Sequence, residues 1–254
     1  MAETAMQCLK KSTTNGEAML RRQTRMRLSA LCVLIALTSC RSDNAEVKFE
    51  SILVENETRE YRVVIPDDKT KFNRVVIAFH GTGDTAESMA EYSRLDELAI
   101  ENGFVIVYPQ ANNGMWKSVN LTTENASENP DVEFFEVLVS SLRRRLSLQS
   151  TSVDLVGMSN GAEFSLALGT LRPSLVNSIV AHSAGFSLSL DTPEPHIPIL
   201  FVVGENDSRR LAVEKQAEEC QQKGDSVKLV VIPRLGHEWS RKSNKEIGSF
   251  LHSH

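Results

Sequence analysis

The chain has 254 residues, 41% of them hydrophobic and 24% charged, with a formal net charge of −5. That length suits a single α/β unit, and the apolar fraction supplies a sizeable core and excludes a disordered chain. No basic stripe is evident, which argues against nucleic acid as a partner.

The N-terminal segment reads as targeting rather than fold. Residues 19–27 are basic, and the apolar run Leu28–Leu37 that follows is too short for a stable bilayer span. Leu37-Thr38-Ser39-Cys40 resembles a bacterial lipoprotein signal box. It implies cleavage before Cys40, lipid on the Cys40 sulfur, and export to the cell envelope with membrane contact through that anchor alone. A plain secretory signal cut near the same place is the alternative. Residues 1–18 read as an extension ahead of a true start at Met19 or Met26. Residues 1–39 are thus assigned to targeting and 40–254 to one domain. Residues 1–39 carry six Lys/Arg and two Asp/Glu, so their removal takes the net charge from −5 to −9.

Beyond the leader the pattern alternates. Val47–Glu55 and Glu60–Ile65 predict two antiparallel strands joined at Asn56-Glu57. Arg74–Phe79 reads as a buried strand from its apolar run. Thr85–Glu101 has helical spacing and a stop signal at Asn102-Gly103. Phe104–Tyr108 is a strand closed by Pro109. Asn112–Asn129 is polar, irregular and long enough to be functional. Asp131–Leu146 is an amphipathic helix. Strand Ser152–Val156 leads into helix Ala162–Leu171. Strands follow at Val176–His182, Ile197–Val203 and Val227–Ile232, with a loop at Ser183–His196 and helices at Arg209–Lys223 and Ser240–Leu251. Strands alternating with helices imply an α/β fold, a mainly parallel central sheet with helices on both faces. No insertion is long enough for a large lid.

Chemistry concentrates where these strands end. Gly157-Met158-Ser159-Asn160-Gly161 lies between a strand and a helix, the setting of a nucleophile elbow that holds Ser159 exposed above the sheet. His80-Gly81-Thr82-Gly83-Asp84 follows another strand. There the Thr82 N–H, with that of Asn160, would face a developing oxyanion. Asp207 comes just after Ile197–Val203, with Glu205 as its nearest rival, and His237 sits behind Gly236 after Val227–Ile232. The order Ser, Asp, His is that of a hydrolase triad on an α/β sheet. His237 would take the Ser159 proton and Asp207 would orient the imidazole. Trp116 and Trp239 are candidates to line a substrate pocket, and core packing is the other reading. Of the cysteines, Cys220 alone remains beyond the lipid candidate, on a helix, so no internal disulfide is expected and burial as a small apolar residue is. No Cys/His cluster has zinc-site spacing, and neither metal nor organic cofactor is implied.

Together these segments resemble the secreted polyhydroxybutyrate depolymerase and feruloyl/acetyl-xylan esterase group of α/β-hydrolases. The resemblance rests on residues 61–66 (YRVVIP), 80–83 (HGTG), 98–111 with their closing YPQA, and Trp116. It rests also on Asp131–Phe135, residues 157–162 (GMSNGA) and residues 236–239 (GHEW). It implies a serine esterase acting on feruloyl or acetyl esters of polysaccharides, or on short polyhydroxyalkanoate esters. The chain departs from the group in having a single Asp131 after Pro130 and Ser240 where a proline is usual. It also lacks an appended polymer-binding module. A non-catalytic glycan-binding envelope protein and a peptidase-like serine hydrolase are the other readings. The substrate and the oligomeric state stay open.

Overall fold

A computed structural model describes residues 37–42, 44–68, 74–147, 152–184 and 196–254. The expected leader up to residue 36 lies outside the described residues.

Among the described residues nine strands form one sheet. In chain order they are β1 (Leu37–Ser42), β2 (Ala45–Val54), β3 (Glu57–Pro66), β4 (Val75–Phe79), β5 (Val105–Pro109), β6 (Val153–Met158), β7 (Val176–His182), β8 (Ile199–Gly204) and β9 (Val227–Ile232). Across the sheet the order is β1-β2-β3-β5-β4-β6-β7-β8-β9. The first three run antiparallel, with a tight turn that pairs Val54 with Glu57. From β5 to β9 every pairing is parallel. β1 was not among the expected strands. It pairs with β2 across Cys40↔Val47, so it starts three residues ahead of the expected cleavage point.

Among the described residues six α-helices cover the sheet: α1 (Ala86–Ser93), α2 (Leu95–Asn102), α3 (Pro130–Leu146), α4 (Asn160–Leu171), α5 (Arg210–Gln222) and α6 (Asn244–Ser253). Alternate strand residues point to opposite faces. Val63, Ile77, Val107, Leu155 and Phe201 therefore join Phe134 and Leu138 of α3, Phe164 of α4 and Val213 of α5 in one core cluster. Val64, Val76, Ile106, Val156 and Leu200 join Met89 of α1, Leu98 of α2 and Ile247 of α6 in another. The strands buried on both faces lack period-two alternation because neither face meets water.

One expected helix is two. Arg94 adopts φ 56° and ψ 30°, and breaks Thr85–Glu101 into α1 and α2. Its N–H still donates to the Ala90 carbonyl, while the Leu95 N–H turns to the Ser93 hydroxyl. Apolar periodicity continues across the break, so spacing alone did not reveal it. Thr85 caps α1 through a reciprocal exchange with Ser88.

The polar stretch between β5 and α3 is pinned rather than loose. Asn129 caps α3 through the Asp131 and Val132 N–H groups and donates to the Lys117 carbonyl. Asp131, 2% exposed, accepts from the Lys117 N–H at 2.8 Å and pairs with Arg59, 1% exposed, at 2.8 Å. The Arg59 guanidinium also lies 4.2 Å from the Phe134 ring centroid. Two buried charges hold because each completes the other and both are hydrogen-bonded.

Asp131→Ala leaves the Arg59 cation buried without its counter-charge. It is expected to cost about 3–5 kcal/mol, read from the urea midpoint of purified protein. Replacing both residues with apolar ones of similar volume is expected to recover most of that loss.

Candidate active site

The carboxyl ends of the parallel strands collect the residues singled out by sequence. At the end of β6 the chain turns sharply into α4, and Ser159 sits in that turn at φ 54° and ψ −117°. This is a costly conformation for a residue with a side chain, on the order of 1–3 kcal/mol. It is held by the Ser159 N–H donating to the His182 carbonyl at 2.8 Å. The Ala162 and Glu163 N–H groups both donate to the Ser159 carbonyl at 3.0 Å. A side chain at Gly161 is impossible here: a Cβ would come within 2.2 Å of the Phe79 carbonyl oxygen.

Asp207 and His237 arrive from the ends of β8 and β9. A Cβ on Gly204 would lie 2.3 Å from the Leu235 carbonyl oxygen. Only glycine lets the histidine-bearing loop cross the end of β8 that closely. His237 Nε2 is 3.0 Å from Ser159 Oγ and His237 Nδ1 is 2.9 Å from Asp207 Oδ2. The Asp207 side chain is fully buried while that of His237 is 37% exposed. Burial pushes the Asp207 carboxyl up. The Arg209 N–H, the Ser183 hydroxyl and His237 outweigh that and hold it below the ordinary carboxylate value. Glu205, the sequence rival, instead accepts from the Arg234 N–H at 2.9 Å and is exposed.

The Gly-rich loop after β4 lies against Ser159. A Cβ placed on Gly81 would sit 3.6 Å from the Ser159 Cβ. Gly83 and Asp84 N–H groups are bonded to the Gly114 and Gly81 carbonyls, whereas those of Thr82 and Asn160 donate to no other backbone group among the described residues. Buried His80 accepts the Ala111 N–H at Nε2 (3.1 Å), so its proton is on Nδ1 and donates to the Gly81 carbonyl at 2.8 Å. In a trans peptide that turns the Thr82 N–H the opposite way. Burial holds His80 below its ordinary value, in keeping with this neutral form.

Trp116 is a correction to the pocket reading. It is 1% exposed, stacked on Phe164 with centroids 5.4 Å apart, and its Nε1 donates to the His80 carbonyl. It is core, despite its polar sequence surroundings. Trp239 is half-buried, stacks on His182 at 4.7 Å and donates from Nε1 to Asn244. It fixes the loop that carries His237. Cys40 lies in β1 opposite Val47. Cys220 is half-buried on α5 against the core, and burial pushes its thiol up to about 11.

Three contributors escaped the sequence reading. The Asn160 side chain accepts the Trp116 N–H at 2.8 Å and donates to the Trp116 carbonyl and the Ser118 hydroxyl. It thereby ties the 112–129 stretch to the elbow. Arg209 donates from Nη1 to Ser159 Oγ at 3.0 Å and to Glu163 at 3.2 Å. His182, fully buried, accepts the Ser240 N–H at Nε2 and donates from Nδ1 to the Ser183 hydroxyl. Burial first, and then the nearby His237, push His182 down to about 3, although Asp207 pulls the other way. No local pattern marks His182 or Arg209, and the motif that singles out the Asn160 N–H says nothing of its side chain, because each of these side chains acts on a residue far along the chain. A groove of about 980 Å³ between α2 and α6, lined by Arg94, Asn102, Arg241 and His252, contains no residue of this cluster. Converging chemistry rather than volume identifies the site.

The phospholipase/carboxylesterase family model matches residues 59–254. A bifunctional acetylxylan esterase/xylanase from Neocallimastix patriciarum is 20% identical over 149 residues, 59% of this chain. The chain spans about a fifth of that relative's length, the match covering 21% of it. Among solved structures, a ferulic acid esterase superposes with TM-score 0.67 at 15% identity, over 82% of this chain and 98% of that one. An S-formylglutathione hydrolase from Agrobacterium tumefaciens gives TM-score 0.63 at 16% identity, over 86% and 96% of the two chains. At such identities these structures establish a shared α/β-hydrolase fold.

His182 binds no proton in the folded protein until about pH 3, while the unfolded chain binds one near the ordinary 6.5. Stability from this group is therefore complete above pH 6.5 and falls as pH drops toward 3, by about 1.4 kcal/mol per pH unit. Urea unfolding free energies of the wild type are expected to fall from about pH 6.5 down to 4.5 in keeping with that slope, and His182→Gln to flatten it.

Proposed function

The chain belongs to the phospholipase/carboxylesterase family, and on that premise we propose that it is a serine carboxylic ester hydrolase whose catalytic triad is Ser159, His237 and Asp207. The observation that carries this reading is the unbroken pair of hydrogen bonds from Ser159 Oγ through the His237 ring to Asp207. His237 Nε2 takes the Ser159 proton as Oγ attacks the ester carbonyl. Asp207, bound at Nδ1, keeps the ring in the tautomer that leaves Nε2 free to accept. The Thr82 and Asn160 N–H groups receive the oxyanion, preset by the His80–Gly81 hydrogen bond and the start of α4. The tetrahedral intermediate collapses and the alcohol leaves with the proton from His237. Water then repeats the sequence on the acyl-enzyme.

For substrate, we propose acyl esters of the kind carried by plant polysaccharides, feruloyl or acetyl, or short hydroxyacid esters. The motifs at residues 80–83, 157–162 and 236–239 support that range. So do the names of the acetylxylan esterase/xylanase and the ferulic acid esterase to which the chain is similar. The mature protein is proposed to reside in the cell envelope, anchored by lipid on Cys40.

Ser159→Ala is expected to abolish labelling by a fluorophosphonate probe and hydrolysis of p-nitrophenyl acetate. Asp207→Asn, which misorients the imidazole, is expected to lower kcat on the order of 10⁴-fold. Full labelling of Ser159→Ala would remove the triad assignment. For the anchor, the full chain expressed in a bacterial host is expected to partition with membranes and incorporate labelled fatty acid. Cys40→Ala is expected to release it and lose the label.

A further inference from the structure

A cation touches the nucleophile, and the triad mechanism gives it no task. The Arg209 backbone is fixed by the site itself, its N–H donating to Asp207 Oδ1 at 2.9 Å just ahead of α5. From there Nη1 reaches Ser159 Oγ at 3.0 Å and Glu163 Oε1, on the first turn of α4, at 3.2 Å. The Arg209 side chain is 39% exposed and that of Glu163 only 12%. Glu163 therefore holds the guanidinium from the protein side while the rest of the fork faces the crevice. A guanidinium keeps its proton at any working pH, so it cannot serve as acid or base. What it can do is donate.

We propose that Arg209 is a substrate anchor that selects esters bearing a free carboxylate close to the reacting carbonyl, on the acyl or the alcohol side. This rests on the ester-hydrolase reading of the same site. In the resting enzyme Nη1 donates to a serine hydroxyl. As Oγ bonds to the ester carbonyl, with the alcohol still attached, that atom becomes an ether-type oxygen of the tetrahedral intermediate, a poorer acceptor. The cation then needs another partner, and a carboxylate two to four bonds from the attacked carbon, roughly 3–6 Å, falls within reach. The planar fork suits a carboxylate, and Glu163 takes only one of its arms. Without Arg209 the carboxylates of Glu163 and Asp207 would set the charge around the Ser159–His237 pair among the described residues, in a chain of net charge −5, and an anionic ester would be repelled. Short hydroxyacid esters with a free terminal carboxylate belong to the class that fits. Neutral acetyl and feruloyl esters do not use this contact.

The test compares matched esters on the full chain, with rates corrected against Ser159→Ala. One pair carries the charge on the acyl side, mono-p-nitrophenyl glutarate against its methyl ester. The other carries it on the alcohol side, 3-acetoxybutanoate against 3-acetoxybutanamide. The wild type is expected to prefer the charged member of at least one pair by about ten-fold in kcat/KM, as befits a partly exposed charged hydrogen bond. Arg209→Gln is expected to bring that ratio close to one and Arg209→Lys to restore part of it. A purely structural role would instead lower both members equally and leave the ratio intact. Hydrolysis of the neutral esters with no preference in either pair, or a preference that survives Arg209→Gln, overturns the anchor while the esterase stands. If the wild type cleaves neither member faster than Ser159→Ala, the esterase reading fails and takes the anchor with it.

Discussion

The start of α4 lies so close over the end of β4 that the carbonyl oxygens of Phe79 and His80 occupy the space where a Gly161 side chain would be. That approach sets the geometry around it. It brings the loop carrying Thr82 against Ser159 and leaves the first amide groups of α4 beside it. It also forces the chain through Ser159 in a backbone conformation that a serine avoids elsewhere. The strain is offset by three backbone hydrogen bonds, one of them to the carbonyl of His182 on the next strand. The elbow is therefore a property of three neighbouring strands, β4, β6 and β7, and not of the pentapeptide alone.

Around the elbow, buried polar groups are used as fixed struts. His80 and His182 are both buried and both neutral, because each accepts a backbone N–H on one nitrogen and donates from the other. A neutral imidazole joins two distant chain segments without the desolvation cost of a charge. His80 ties the end of β5 to the oxyanion loop, and His182 with Trp239 ties the end of β7 to the loop of His237. The Asn160 side chain and the Arg59–Asp131 pair do the same for the 112–129 stretch. Asp207 and Arg209 carry charge beside Ser159: Glu163 pairs with Arg209, while the His237 ring and the Arg209 N–H donate to Asp207.

The central strands were legible because burial on both faces leaves continuous apolar runs, and Val75–Phe79 and Ile199–Gly204 match that signature closely. The positions of Ser159 and Asp207 were legible because each follows such a run, and that of His237 because it follows the mostly apolar edge strand Val227–Ile232, which is only partly buried. Arg94 was not, since a single left-handed residue leaves the apolar spacing of α1 and α2 intact. Trp116 misled because its neighbours in sequence are polar, whereas its neighbours in space are Phe79, Phe164 and His80. β1 escaped notice because its residues sit at the end of the apolar leader and gain strand character only by pairing with β2.

The sequence by itself determined the α/β alternation, the mostly parallel sheet and the identity of the triad candidates. Hydrophobic period and turn chemistry are local properties, written within a dozen residues. Which polar side chains serve the site was decided only by tertiary structure. His182, Asn160 and Arg209 matter through hydrogen bonds to partners 58, 44 and 50 residues away. Such contacts exist only once the sheet has aligned its strand ends, and no spacing along the chain encodes them.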